Sequence, residues 1–253
     1  MLAGERHRKI VERVNSEGIV IVKDLAKAYG VTEDCIRKDL KILENKGLLT
    51  RIHGGATTNR ENVHAYHAKD RREVHVEEKE RIAAKAMTLL HDDLMIFLDI
   101  STSSYAIAQR IVQEHFRLTI VTNMVAILEL LKDVPFVRLI FIGGMINHTN
   151  DGFTGSLTID TLKKYRFDLA FVGVVGVDIA NNQVMTYDMD DGLTKKQIML
   201  SSAASYMLCE HEKFHQAGHF IYATIDDFTG LITDTLLSSQ VEKALIAKDI
   251  DIV

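Results

Sequence analysis

Two stretches carry residue types whose order could do chemistry. The first is Asp99-Ile100-Ser101-Thr102-Ser103-Ser104, an acid followed by four hydroxyls. Where such a loop closes a strand and opens a helix, free backbone N–H groups and the positive end of the dipole face outward. Phosphate is the natural guest, although Ser and Thr are also ordinary helix caps. The second stretch runs from Thr32 to Gly55. Ile36, Leu40 and Leu43 recur at i, i+4 and i+7, one apolar stripe of a helix, and leave Asp34, Arg37, Lys38 and Lys41 pointing away. Thr32 is placed to cap that helix, Glu33 and Asp34 suit its first turn, and Gly47 suits its end. Leu48 to Ile52 reads as a short strand carrying Arg51, ended by Gly54-Gly55. A basic helix followed by such a β element fits a major groove, with the β element on the phosphates. An amphipathic helix with a solvated face is the plainer alternative.

The elements around the basic helix favour the first reading. A helix is expected from Glu5 to Glu17, ended by Gly18, then a strand over Ile19-Val20-Ile21-Val22 and a helix from Lys23 to Tyr29. Gly30-Val31-Thr32 is a tight turn into the basic helix. Helix, turn and helix with a following strand make a winged helix-turn-helix over residues 1–58. The same architecture also serves as a protein-interaction module. Residues 59–76 are polar, contain His64 and His67, and read as a linker.

From Glu77 to Val253 helical and apolar strand patterns alternate. Helices are expected at Glu77–Leu90, Ser104–Glu114, Val125–Leu131, Leu157–Tyr165, Leu193–Ala204 and Ser239–Ala247. Strands are expected at Leu94–Leu98, Leu118–Val121, Val137–Ile142, Leu169–Val172, Tyr206–Cys209, Leu231–Thr233 and Ile250–Val253. Strands apolar throughout, separated by helices, imply an α/β fold with a mostly parallel sheet covered on both faces. Ligands in such sheets sit beyond the carboxyl ends of the strands. Four ends carry small or polar groups: Asp99 with Ser101, Thr102, Ser103 and Ser104; Thr122-Asn123; Gly143-Gly144; and Gly173 with Gly176 and Asp178. Lys195, after Asp188, Asp190 and Asp191, and Lys213, after Glu210 and His211, could add cations to a phosphate.

His211, His215 and His219 repeat every four residues, but Gly218 interrupts them, so no metal site is expected. Cys35 and Cys209 are the only cysteines and form no zinc or disulfide pattern, which suits a reducing cytosol. No secretory leader and no apolar run of membrane-spanning length are seen, so a cytoplasmic protein is expected. The 253 residues carry a net charge of −5. It is unevenly placed: the first 60 residues hold 12 Lys and Arg against 8 Asp and Glu, the rest 18 against 27. A basic head on an acidic body suits a DNA-contacting module attached to something else.

The sequence resembles the DeoR family of bacterial transcriptional regulators over nearly its whole length. In the head the resemblance rests on Val31-Thr32-Glu33-Asp34-Cys35-Ile36-Arg37-Lys38-Asp39-Leu40, Leu43-Glu44, Gly47 and His53-Gly54-Gly55-Ala56. In the body it rests on Glu78-Lys79, Phe97-Leu98-Asp99, Thr122-Asn123, Gly143-Gly144, Phe171-Val172-Gly173 with Gly176-Val177-Asp178, Lys195, Lys213-Phe214 and Leu231-Ile232-Thr233-Asp234. The resemblance implies a body similar in fold to sugar-phosphate isomerases and coenzyme A transferases, sensing a phosphorylated sugar, and a head that binds operator DNA within a dimer or larger oligomer. Thr32, Cys35, Arg37, Lys38, Lys41 and Arg51 are then the DNA-contacting residues. The strand-end residues above, with Asp191, Lys195 and Lys213, are the effector-binding ones. This chain has Cys35 where the family commonly has Thr, Ser101 where it has Gly, and Glu210 and His215 where Asp and Gly flank the Lys-Phe pair.

The expected function is a repressor of a carbohydrate-utilisation operon, with no cofactor and no membrane partner. The rival is a sugar-phosphate isomerase with an appended head, using Asp99, Asp178 or Asp191 as base. A third reading is an oligomerisation module with a vestigial pocket.

Overall fold

The computed structural model describes residues 3–17, 19–46, 48–57, 71–148 and 151–253. The stops assigned to Gly18 and Gly47, and most of the expected linker with His64 and His67, lie outside them. The chain divides into two compact units, Met1–Asn62 and Val63–Val253.

In the first unit α1 (Ala3–Glu17), β1 (Ile19–Ile21), α2 (Val22–Tyr29), α3 (Glu33–Asn45), β2 (Thr50–Ile52) and β3 (Gly55–Thr57) follow one another. Ile10 and Val14 of α1, Leu25 of α2, and Ile36, Leu40 and Leu43 of α3 are fully buried and meet in one core with Val20, Leu49 and Ala56. Gly30 takes the left-handed conformation (φ 65°) that ends α2 and turns the chain into α3. The three strands form an antiparallel sheet in the order β1-β3-β2. The wing is thus a hairpin, and Gly55 opens its second strand rather than ending the first. The reason is steric: a Cβ on Gly55 would lie 2.0 Å from the Val20 carbonyl oxygen, so only glycine lets β3 pair between its neighbours.

In the second unit α4 (Val76–Met87) precedes β4 (Met95–Leu98), α5 (Thr102–Glu114), β5 (Thr119–Thr122), α6 (Val125–Leu131) and β6 (Arg138–Phe141). A hairpin of β7 (Met145–Asn147) and β8 (Gly152–Thr154) leads to α7 (Ser156–Leu162) and β9 (Phe167–Gly173). There follow β10 (Gly176–Asp178), β11 (Gln183–Thr186), α8 (Met189–Leu200), β12 (Ser202–Cys209), β13 (Phe220–Ala223), β14 (Gly230–Thr233), α9 (Ser239–Ile246) and β15 (Asp251–Ile252). Seven strands form a parallel sheet in the order β15-β14-β12-β9-β4-β5-β6. Alternation along each strand divides the core: Ile96, Leu98, Ile120, Phe171 and Leu208 face α4, α5 and α6. Phe97, Val121, Ala170, Val172 and Met207 face α7, α8 and α9 on the other side.

Two differences from the expected pattern bear on the site. The helix expected to run to Ala204 ends at Leu200, because Ser202–Cys209 pairs with β9, Ala204 opposite Leu169. Pairing to a central strand overrides the helical propensity of the two alanines. The short strands β10, β11 and β13 form a separate antiparallel sheet that the sequence pattern did not signal.

The chain leaves β4 toward β5 and β6, then returns to place β9 on the other side of β4. The carboxyl ends of β4 and β9 therefore mark a topological switch point, where a crevice forms between diverging connections.

Candidate functional site

In the first unit the outward face of α3 carries the residues expected to meet DNA. Thr32 caps the helix, its Oγ1 accepting from Cys35 N at 3.2 Å. Arg37, Lys38, Lys41 and Arg51 are exposed; Cys35 is half-buried, its thiol 3.9 Å from Asp39. Arg37 donates to Asp34 and Glu33, both at 2.7 Å. Arg51 N donates to Glu44 Oε1 at 2.9 Å, which ties the wing to α3.

Beneath that face Asp39 is buried and accepts from Arg6 Nε at 2.6 Å and Nη2 at 3.1 Å; His7 Nε2 lies 2.8 Å away. Burial works against the Asp39 charge, but Arg6 and His7 outweigh it and hold the carboxyl below its ordinary value. These contacts tie α3 to α1.

In the second unit the switch point is built around Asp99, fully buried just beyond β4. Asp99 Oδ1 accepts from Ser104 Oγ at 2.7 Å, and Oδ2 from Gly173 N at 2.9 Å and from Lys195 Nζ. Ser101 caps α5: its Oγ accepts from Ser104 N at 3.1 Å and donates to Ser104 Oγ at 2.9 Å. The N–H groups of Thr102 and Ser103 in the first helical turn have no intrahelical acceptor by construction, which leaves them for an anion. Ser103 Oγ donates to Glu210 Oε1 at 3.0 Å, linking α5 to the end of β12.

The cation expected at Lys195 is fully engaged: buried, bonded to Asp99 and 3.7 Å from Asp191 Oδ1. Burial disfavours its charge, yet Asp191 and Asp99 keep it protonated, its pKa raised. Burial pushes the Asp191 carboxyl up against the pull of Lys195. Asp191 Oδ2 accepts from Thr186 Oγ1 at 2.6 Å, while Oδ1 has no hydrogen-bond donor. Asn123 Oδ1 and Tyr222 Oη are also buried without partners. Asn123 Nδ2 donates to Phe153 O at 2.6 Å, which pins the β7–β8 hairpin.

Other expected residues do structural work or stand apart. The Thr122 hydroxyl donates to Leu98 O at 2.7 Å and accepts from Met124 N at 3.1 Å. The Gly143 carbonyl accepts from Thr158 Oγ1 at 3.0 Å, and Gly144 packs on that hydroxyl. Gly176 opens β10, against the backbone of Gln216. Asp178 is the last residue of β10 and serves the β10–β11 turn, where it accepts from Asn181 N and Nδ2, both at 2.9 Å. The hairpin carries it off the strand end that its sequence position suggested.

Lys213 lies 3.3 Å from Glu210 Oε1. Two further cations act on that carboxylate, Lys79 and Arg71. Burial raises the pKa of Glu210, but Lys213 and Lys79 outweigh it and hold the carboxyl below its ordinary range. Lys79 is buried, donates to the carbonyls of Arg71 (2.6 Å) and Val74, and is lowered by burial to about 8. Burial likewise lowers Arg71, against the pull of Asp191, Tyr187 and Glu210. Arg71 falls within the stretch that reads as a linker, because a cation in a polar segment carries no periodic signal. Tyr222 lay in a strand too short to recognise. A groove of about 470 Å³ between α4 and α5, lined by Val76, Lys79, Thr102, Tyr105 and Gln109, reaches the first turn of α5 from outside. Among the described residues no group of His, Cys, Asp and Glu could hold a metal, and no helix is long and apolar enough to cross a membrane.

A helix-turn-helix unit with a basic outer helix, joined to an α/β unit with a polar switch-point cluster, defines a DNA-binding regulator with a sensor domain. Comparison with known proteins agrees. Residues 6–62 match the DeoR-like helix-turn-helix domain and residues 74–235 the DeoR C terminal sensor domain. The chain is 30% identical over 231 residues to the glycerol-3-phosphate regulon repressor of Escherichia coli (strain K12), covering 91% of this chain and 90% of the relative. It is 30% identical over 243 residues to the lactose phosphotransferase system repressor of Staphylococcus aureus (strain N315), covering 94% of each. Among solved structures, ribose 5-phosphate isomerase A of Methanocaldococcus jannaschii aligns over 53% of this chain and 52% of its own, with TM-score 0.39 and 16% identity. The delta subunit of eIF2B from Chaetomium thermophilum aligns over 65% and 59%, with TM-score 0.48 and 14% identity. The chain belongs to the DeoR family of DNA-binding transcriptional regulators; it is a regulator and not an enzyme.

Proposed function

We propose that this protein is a cytoplasmic repressor of a carbohydrate-utilisation operon, working as a homo-oligomer, whose operator affinity is set by a phosphorylated sugar bound at the β4–β9 switch point. The observation that carries the reading is buried Glu210 at the end of β12, which accepts from Ser103 Oγ in the first turn of α5 at 3.0 Å and lies 3.3 Å from Lys213 Nζ, with the charges of Lys79 and Arg71 acting on it as well. A phosphate accepted there takes the N–H groups of Thr102 and Ser103 and shares the cations with Glu210. Asn123 Oδ1 and Asp191 Oδ1, buried and without a hydrogen-bond donor (the latter 3.7 Å from Lys195 Nζ), with the Tyr222 hydroxyl, suit the hydroxyls of a sugar. Two relatives support the chemistry by name, one a glycerol-3-phosphate regulon repressor and the other a repressor of a phosphotransferase system.

On the DNA side, Arg37, Lys38 and Lys41 reach into the groove, while Thr32 and Arg51 lie on the backbone. Effector binding changes operator affinity by the difference between its affinities for the two states, typically about 1–3 kcal/mol.

Calorimetric titration of the full-length protein with glycerol 3-phosphate, ribose 5-phosphate, glucose 6-phosphate and inorganic phosphate tests the site. One ester binds well above inorganic phosphate, and Lys213→Gln weakens it. Binding untouched by Lys213→Gln places the effector elsewhere.

A further inference from the structure

We propose that Asp34 reads DNA sequence: it accepts from the N4 amino group of a cytosine beside the guanine taken by Arg37. Asp34 stands in the first turn of α3, and its side chain is 82% exposed. Arg37 follows one turn later on the same outward face, its Nη1 2.7 Å from Asp34 Oδ1 and its Nη2 2.7 Å from Glu33 Oε2. First-turn residues of a recognition helix are the ones that meet base edges. A carboxylate there repels the phosphates on either side, and an exposed ion pair on a helix surface contributes little to stability. Asp34 therefore weakens DNA binding in general unless it finds a donor in the groove.

The major groove offers an amino donor on cytosine and on adenine. The adenine amino group is flanked by the N7 acceptor, which repels a carboxylate, so cytosine is the better partner. Arg37 takes guanine O6 and N7. The ion pair in the free protein holds both side chains toward one side of the helix, three residues apart, within reach of neighbouring base pairs. Lys38 and Lys41, exposed on the same helix, supply the attraction to phosphate that Asp34 opposes.

The test is selection of bound duplexes from a random pool by full-length wild type, Asp34→Ala and Asp34→Asn at one salt concentration, then anisotropy on the selected duplex. Wild type selects a motif with adjacent cytosine and guanine, and replacing that cytosine by thymine weakens it about tenfold or more. Asp34→Ala brings that ratio to within about twofold at that position alone and tightens binding to random DNA. Asp34→Asn moves the preference toward adenine, the base that an amide reads through N6 and N7. Unchanged melting temperatures show that the exposed variants fold. An Asp34→Ala variant that selects the wild-type motif at every position, or that weakens all sequences equally as loss of a helix-end charge does, overturns the proposal. So does a wild-type protein that selects no motif.

Discussion

Gly173 and Ser101 are packed so closely that a Cβ on the glycine would lie 2.3 Å from the serine Cβ and 2.6 Å from its Oγ. That approach seats the cap of α5 against the end of β9 and lets Gly173 N–H reach Asp99. Gly173→Ala forces the two apart, at about 1–3 kcal/mol for an overpacked core. The melting temperature falls and phosphate-ester affinity drops about tenfold, a change of about 1.4 kcal/mol. Effector-free operator binding is unchanged at a temperature where the variant is folded. A variant that binds the ester like wild type takes the hydroxyl loop out of the site.

Lys195 and Lys213 separate structural from ligand-binding charge. Lys195 is buried between Asp99 and Asp191, so Lys195→Met leaves carboxylates uncompensated and costs about 3–5 kcal/mol of stability. Lys213 is less enclosed, and Lys79 still acts on Glu210 in its absence, so Lys213→Gln lowers the melting temperature much less than Lys195→Met while weakening the effector. Thermal melts of both variants check the contrast. Equal destabilisation contradicts it.

Asp39 makes the head sensitive to acid. Its folded pKa lies below the unfolded value of about 3.9, so its contribution is full above that value and is lost as pH falls through the folded one. Asp39→Ala costs roughly 2–3 kcal/mol at pH 7, less than a fully enclosed pair, because His7 borders solvent. Urea unfolding at pH 7 and pH 3, followed by helical circular dichroism, shows the gap between wild type and variant narrowing in acid. A gap that persists at pH 3 removes the ionised carboxylate from the explanation.

Lys79 gives the sensor a dependence near neutral pH. Its folded pKa of about 8 lies below the ordinary lysine value, so it loses its proton as pH rises through 8, while the unfolded chain keeps its own. Its contribution to folding stability therefore increases from about pH 8 to about pH 10.4. Anion binding moves the other way. A phosphate nearby favours the charged form, so effector binding takes up protons near pH 8 and weakens as pH rises to 9. Titrations in buffers of different ionisation enthalpy detect that uptake. Its absence places Lys79 outside the effector's field.

The head was legible because Ile36, Leu40 and Leu43 form a stripe whose period leaves Arg37, Lys38 and Lys41 on the other side. The parallel sheet was legible because Ile96-Phe97-Leu98 and Phe171-Val172 are apolar on both faces. The wing was half legible: β2 was visible, but Gly55 reads as a stop until Val20 is known to lie against it. Asp99 and the Ser101–Ser104 loop were visible as a polar strand end, whereas Arg71 and Tyr222 join the cluster through tertiary packing that no local pattern encodes. Lys195 was visible as a cation, but its capture by Asp99, 96 residues away, was not.

The central claim is that the switch-point cluster and α3 belong to one ligand-controlled DNA reader. The most direct measurement is fluorescence anisotropy of labelled duplex from upstream of this gene, titrated with full-length protein at fixed salt, with and without the sugar phosphate that binds most tightly. The account predicts sequence-selective binding whose affinity the ester shifts about 5- to 150-fold, and which Lys213→Gln leaves intact but unresponsive at the same ester concentration. Selective binding that no ester alters, with the ester bound, contradicts it.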